Sequence, residues 1–366
     1  MQLKLKAISV SILILTGNIL QAQTKEQVPK GYSQQEFFRS KQVFATEQLT
    51  SFYSSVRVEK DMVFFLANDY KLYAYDKENG KEKWSADLKY KTNTPLAFDD
   101  TNIYAGFYDG KWEWTGRFDI RTGKMIKQLP VGPLGSVPLI KDGVLFGTGL
   151  YEGGCLFAYD IKKDTVLWWR FLAHGFSTQP YFFADRIQAN AEANNWAMIN
   201  YKGQLTDTSC KEKADIFVSD IPCIKKFIAL THDGFEINEQ FSIKNFGDES
   251  LTPEDVLRGE KQSFALYNDK LVVIKNKGKI ASSFNPSSLL PDTIAGREDG
   301  LCRLIAANEQ TVSFVYYDNL FVYDHQKKKL VKLVELAAWQ PHQVVIDNEK
   351  LWIISKKDGL LYGLAY

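Results

Sequence analysis

The sequence predicts an all-β fold, an eight-bladed propeller of four-stranded antiparallel blades, from three observations. A phrase recurs along the chain: an apolar run closing on Asp, a Gly soon after, and a second run carrying Trp, as in Leu72-Tyr73-Ala74-Tyr75-Asp76, Gly80 and Trp84. Its copies close at Asp76, Asp119, Asp160, Asn200, Lys275, Asp324 and Ala365, at intervals of 43, 41, 40, 75, 49 and 41 residues. A period near forty with four strands per unit belongs to blades set around an axis, each burying its faces on its neighbours. The longest interval holds one degraded copy at 226–237, which makes eight units, with seven as the alternative.

Residues 1–22 are read as a cleavable signal peptide. Lys4 and Lys6 precede an apolar core at 7–15, and Leu20-Gln21-Ala22 forms the junction before Gln23. That core is short for a membrane span. No cysteine stands at the junction, so the expected product is exported without a lipid anchor or transmembrane segment, periplasmic or secreted. Residues 23–40 are polar, and Ser33-Gln34-Gln35-Glu36 matches a capping box, which predicts a short helix through Phe38. Residues 41–45 predict a lone strand.

The propeller is expected over 41–366. Strands at 54–58, 62–66, 72–76 and 82–88 make the first unit, with Asn79-Gly80 read as a two-residue hairpin turn. The second has strands at 94–98 and 102–106, a third closing on Asp119 and a fourth after Gly123; the third unit has 137–140, 144–147, 156–160 and 166–171. The fourth runs through 179–183 and 186–190 to strands around Ile199 and Leu205. Thr252-Pro253 opens an expected helical turn over 252–256. The last unit supplies only 343–346, 351–354 and 360–364. An open sheet edge invites aggregation. The strand at 41–45 is therefore expected to complete that unit and close the ring with the N-terminal segment.

Composition excludes some functions. With 45 basic against 44 acidic residues the net charge is +1, which argues against nucleic acid as a partner. Four histidines give little material for metal or acid–base chemistry. Cys210 and Cys223 lie 13 residues apart on expected neighbouring strands, where export permits a disulfide; buried thiols are the other reading.

In a four-stranded blade the loops joining the second to the third strand emerge on the same face as those linking blades. That rule collects Trp112, Trp114, Tyr151, Glu152, His174, Glu192, Asn194, Asn195, Trp196, Arg297 and His342 as a candidate binding face. Exposed aromatics, amides and a few charges suit a peptide or sugar ligand. The plainer alternative packs Trp112 and Trp114 on a neighbouring blade and leaves Asn194-Asn195 to the turn. His174 near Glu192 or Glu152 is a possible general base, and Glu192, Asn194 and Asn195 offer oxygens to calcium. A histidine without a fixed partner and three oxygens without Asp-rich spacing assign neither, so no catalytic, cofactor or metal residue is named.

On its repeats the chain resembles the pyrroloquinoline-quinone (PQQ)-like repeat family of β-propellers, in its non-enzymatic, BamB-like branch. Tyr73-Ala74-Tyr75-Asp76 with Gly80-Lys81 and Trp84 carries the family pattern, as do Phe157-Ala158-Tyr159-Asp160 with Trp168, and Asp119 with Thr122-Gly123-Lys124. The resemblance covers most of 51–366 and implies an eight-bladed ring. The family's quinone-dependent dehydrogenases carry an adjacent cysteine pair, and this chain has none. The expectation is a monomeric, non-enzymatic scaffold without cofactor that binds an envelope protein or a peptide. The competing class is an enzyme, a quinoprotein oxidoreductase or a glycan-active hydrolase or lyase.

Overall fold

The computed structural model describes residues 34–44, 56–89, 95–151, 153–177, 180–183, 185–191, 196–206, 227–229, 236–238, 255–258, 262–267, 270–275, 279–290 and 301–366. Strand β1 (Gln35–Val43) opens the described chain. The first sheet follows as β2 (Val56–Glu59), β3 (Met62–Leu66), β4 (Lys71–Asp76) and β5 (Glu82–Asp87). The second is β6 (Ala97–Phe98), β7 (Asn102–Tyr108), β8 (Glu113–Asp119) and β9 (Met125–Gln128). The third is β10 (Leu139–Lys141), β11 (Val144–Leu150), β12 (Gly154–Asp160) and β13 (Thr165–Phe171). The fourth is β14 (Tyr181–Phe182), β15 (Arg186–Asn190) and β16 (Trp196–Asn200), extended by a bridge from Ile199 to Leu205.

A hairpin of β17 (Phe227–Ala229) and β18 (Glu236–Asn238) comes next. The sixth sheet is β19 (Asp255–Arg258), β20 (Gln262–Tyr267), β21 (Lys270–Lys275) and β22 (Lys279–Phe284). The seventh is β23 (Arg303–Ala307), β24 (Thr311–Tyr316), β25 (Asn319–Asp324) and β26 (Lys329–Glu335). The last holds β27 (Pro341–Asp347), β28 (Lys350–Ser355) and β29 (Leu360–Ala365), with β1 as its fourth strand beside β29. Each sheet is antiparallel and runs in chain order, except that β1 joins the last beside β29. First strands of neighbouring sheets approach one another, β2 beside β27, β27 beside β23 and β23 beside β19, so the first strands crowd inward and the fourth fan outward.

Side chains alternate across a strand, and here both faces are covered. In β3, Phe64 packs into the second sheet and Phe65 into the last. In β12, Leu156 and Ala158 face the fourth sheet while Phe157 and Tyr159 face the second. Every residue of Met62–Leu66 is buried, hence its unbroken apolar run. Such cores join the sixth sheet to the seventh, the seventh to the last, the last to the first, and so on through to the fourth.

The repeat's Trp and Gly meet across these junctions. The Trp84 indole N–H of the first sheet donates to Ile120 O (3.1 Å), and its ring fills the space a side chain on Gly123 would need. Trp168 does the same one junction on, donating to Tyr201 O (3.1 Å) with its ring against Gly203. Phe38 of β1 takes the equivalent place against Gly80, where an added Cβ would stand 2.7 Å from its ring. Between the second and third sheets the pair is ionic: Asp164 holds the glycine's position at φ 61° and takes Lys127.

Four expectations are corrected. The helix from Ser33 through Phe38 is instead the start of β1, which runs Gln35–Val43 rather than 41–45. Pairing with β29 from Gln35–Ala365 to Val43–Leu360, with register shifts after Glu36 and after Arg39, overrides the local cap. The turn at Asn79-Gly80 spans 77–81 rather than two residues, and of that dipeptide only Gly80 is left-handed, at φ 66°. The Asp76 carboxylate accepts the Glu78 and Asn79 N–H groups and so shapes the turn. Asp255 and Val256 lie in β19 rather than in a helical turn.

Candidate functional site

The site is built on β13, the outermost strand of the third sheet, paired on one side to β12. Its alternation is interrupted by a bulge: Ala158 faces Trp168 while Tyr159 faces Val166, leaving Leu167 as the extra residue. A bulge turns its side chains away from the regular pleat. Leu167 is 47% exposed and Trp169 38%. Trp168 points the other way and is spent on Gly203 and Tyr201 O, so of two successive tryptophans one builds the fold and one faces water.

The turn between β11 and β12 comes alongside. Tyr151 N–H donates to Gly153 O (2.8 Å), and Gly153, at φ 98°, lies against the Phe171 ring, where a Cβ would sit 2.7 Å away. The Tyr151 ring meets Trp169 edge-on, centroids 6.2 Å apart. Tyr151 and residues 166–171 line a groove of about 520 Å³, with the exposed Leu150 on the strand before it. Arg170 is its one formal charge, its guanidinium donating to Trp169 O (3.2 Å). The arrangement offers aromatic and aliphatic area, one cation and a row of backbone groups along a strand edge with no partner strand among the described residues.

Of the sequence-derived set, Trp112, Tyr151 and His174 lie at turns between second and third strands or at connections between sheets, while Trp114, Trp196 and His342 lie in the strand ends beside them. They share that kind of position rather than a pocket, because the groove takes in only Tyr151. Trp112 is 61% exposed at the tip of the β7–β8 turn. Trp114 is half-buried, its indole donating to Asp109 (2.8 Å) beneath that tip. Bonds from the Trp112 and Lys111 N–H groups hold the Asp109 carboxyl below the usual range. His174 is exposed on a single 3-10 turn, Ala173–Ser177. Trp196 opens β16 opposite Asn190. His342 is half-buried on β27.

Glu152, Glu192, Asn194, Asn195, Arg297 and both cysteines of the expected disulfide, Cys210 and Cys223, lie outside the described residues. Leu167, Trp169 and Arg170 escaped the sequence reading, although the signal was present: neighbours in a strand face opposite ways, so Trp168 and Trp169 cannot both be buried on one partner. Among the described residues no group of three or more His, Cys, Asp or Glu is placed to hold a metal ion. No helix among them is long and apolar enough to cross a membrane.

Residues 39–137 match the family described as outer membrane protein assembly factor BamB. No curated protein matches the sequence. Among solved structures, the C-terminal WD40 domain of Sif2 is similar at a TM-score of 0.58 and 10% identity, over 92% of this chain and 99% of that one. The computationally designed protein Ika8 is similar at 0.52 and 13%, over 91% and 100%. BamB from Moraxella catarrhalis aligns at 0.45 and 14%, over 85% and 82%. At these identities the likeness to the first two shows the propeller fold. The family match is confined to residues 39–137, and around it the chain is similar to propellers in fold.

Proposed function

We propose that the protein is a non-catalytic docking module of the cell envelope, an eight-bladed ring that holds a protein partner at the outer edge of its third blade. The observation that carries the reading is the β13 groove, where the partly exposed Leu167 and Trp169 lie beside a strand edge that no strand among the described residues pairs with. Natural sheets guard their edges with charge, and an aromatic edge left open is an interaction surface or an aggregation liability. The outermost strand of the first sheet is guarded, carrying Glu82, Lys83 and Asp87 exposed. An extended peptide added along β13 would gain backbone hydrogen bonds and seat alternate side chains against Trp169 and Tyr151. The matched family's description, an assembly factor for outer membrane proteins, points to a protein partner in the same compartment.

The test is paired capture from envelope extract with the mature protein and with a Leu167→Glu, Trp169→Glu variant. The expected outcome is one partner held by the parent and lost by the variant. The melting temperature should fall by no more than about 5 °C, since both side chains are partly exposed already. Equal capture by the two proteins would remove the groove from the reading. A saturable melting shift with quinone and calcium would replace it with an enzymatic one.

A further inference from the structure

The fourth strands of five sheets share one irregularity. In each, a register shift against the third strand leaves one residue without a partner across the ladder: Lys83 in β5, Ile126 in β9, Leu167 in β13, Ala281 in β22 and Val331 in β26. A bulge turns that residue out of the pleat, and Ile126, Leu167 and Val331 are all exposed. The strands differ in what flanks it. β5 mixes acids with bases, Glu82, Lys83 and Asp87. In β9, Lys127 is committed to Asp164 of the neighbouring sheet, and the strand ends on Gln128. β22 closes on Phe284 and β26 on Glu335. Of the five, β13 alone is apolar at its centre and cationic at both ends. Lys162 stands exposed in the turn leading into it, and Arg170 lies half-buried near its far end.

The two carboxylates beside that turn are already engaged. Asp160 accepts the Lys162 and Lys163 N–H groups (3.1 and 2.8 Å) and the Lys163 ammonium (3.1 Å). Asp164 takes the Tyr159 hydroxyl and the Lys127 ammonium. Among the described residues neither Lys162 nor Arg170 makes an ion pair, and the Arg170 guanidinium has only Trp169 O. We propose, resting on the docking role of the β13 groove, that its occupant is an extended acidic protein segment, apolar at alternate central positions and carboxylate-bearing at both ends. β13 is 7 residues long, about 23 Å of strand, which sets the distance between those ends. Backbone bonds along β13 hold the segment, Leu167, Trp169 and Tyr151 seat its apolar side chains, and Lys162 and Arg170 fix its ends. A second copy of β13 does not fit. Paired antiparallel, it would bring the cationic start of one strand to the cationic end of the other, and like charges opposed across strands destabilise. A bilayer does not fit either, because lipid offers no partners to the N–H and C=O groups of a strand edge.

Fluorescence anisotropy tests this with the mature protein and three end-blocked, dye-labelled peptides of about ten residues. They share an alternating Leu-Thr centre and differ only at the ends, Glu-Glu, Gln-Gln or Lys-Lys. The expected result is saturable binding of the Glu peptide, about tenfold weaker for the Gln peptide, absent for the Lys peptide, and falling as salt rises. Arg170→Glu and Lys162→Glu should each weaken the Glu peptide about tenfold and admit the Lys peptide, a reversal that misfolding would not produce. Equal affinity for the Glu and Gln peptides, or a preference for Lys, overturns the acidic occupant. The groove itself then stands if the Leu167→Glu, Trp169→Glu variant still loses the peptide. No binding by any of the three overturns the acidic occupant as well, and the paired envelope capture then judges the groove separately. Dimerisation on sedimentation that Arg170→Glu strengthens gives the edge to a second copy. Pelleting with phosphatidylglycerol vesicles that Arg170→Glu abolishes gives the cations to lipid. Either result overturns the proposal.

Discussion

Gly80, Gly123 and Gly203 hold left-handed backbones, at φ of 66°, 67° and 81°, and each lies under an aromatic ring from the sheet before it. Both conditions favour glycine, one through the turn and one through the neighbour. Gly203→Ala therefore meets two penalties, about 1–2 kcal/mol for the left-handed residue and up to about 2 kcal/mol for an indole pushed from its seat. Urea unfolding should register a loss near 3 kcal/mol, and the fluorescence of Trp168 should shift red. The aspartates opening these turns behave alike. Lys83, then the turn's own N–H groups, hold the Asp76 carboxyl down to about 2, and Asp119, Asp160 and Asp324 are lowered too. A folded-state carboxyl that resists protonation stabilises above its unfolded titration, and that stability is lost as pH falls through the folded value. The urea midpoint should therefore drop between about pH 4 and pH 2. Asp76→Asn should lower stability at neutral pH yet flatten the acid limb, because an amide oxygen still accepts the turn's N–H groups. Asn200 already does so, accepting from Lys202 and Gln204 at 3.0 Å.

Strand β1 shows how elements override local signals. Its residues carry a capping-box cue for helix, yet they pair with β29 from Gln35–Ala365 to Val43–Leu360. Gly363 lies opposite Phe38 and leaves space that Phe37 and Phe38 fill, with 2.9 and 3.0 Å to an added Cβ. Phe38→Ala should cost about 3–5 kcal/mol. Hydrogen exchange should speed up first in β29, whose outer edge loses its cover, before the third sheet responds. The need for a closing strand was legible from a last unit one strand short, while its start was not, because the deciding partner lies over 300 residues away. The places of the Asp turns were legible from spacing, while the length of the turn after Asp76, which that carboxylate shapes, was not. The β13 groove was legible only in part: alternation turns one of Trp168 and Trp169 outward, and the register shift between Ala158 and Tyr159 decides which.

At the scale of the molecule, stability is spread over packed junctions rather than held in one centre. Each sheet depends on its neighbours, so the junctions should unfold together while the outer strands stay tolerant of change. Gln35 and Ala365 are adjacent across a strand pair. A permutant joining residues 34 and 366 through a short glycine linker, opened at the exposed Lys162-Lys163 turn, should fold with a melting temperature within ~5 °C of the parent, because nearly all contacts survive. Circular dichroism melts check this.

The pairing of β1 with β29 also sets how the molecule meets force. Tension applied at residues 35 and 365 pulls on the same end of an antiparallel pair, so the hydrogen bonds break in succession instead of sharing the load. A motor hauling on either terminus would peel this seam at low force, baring β29 while the remaining sheets are still folded.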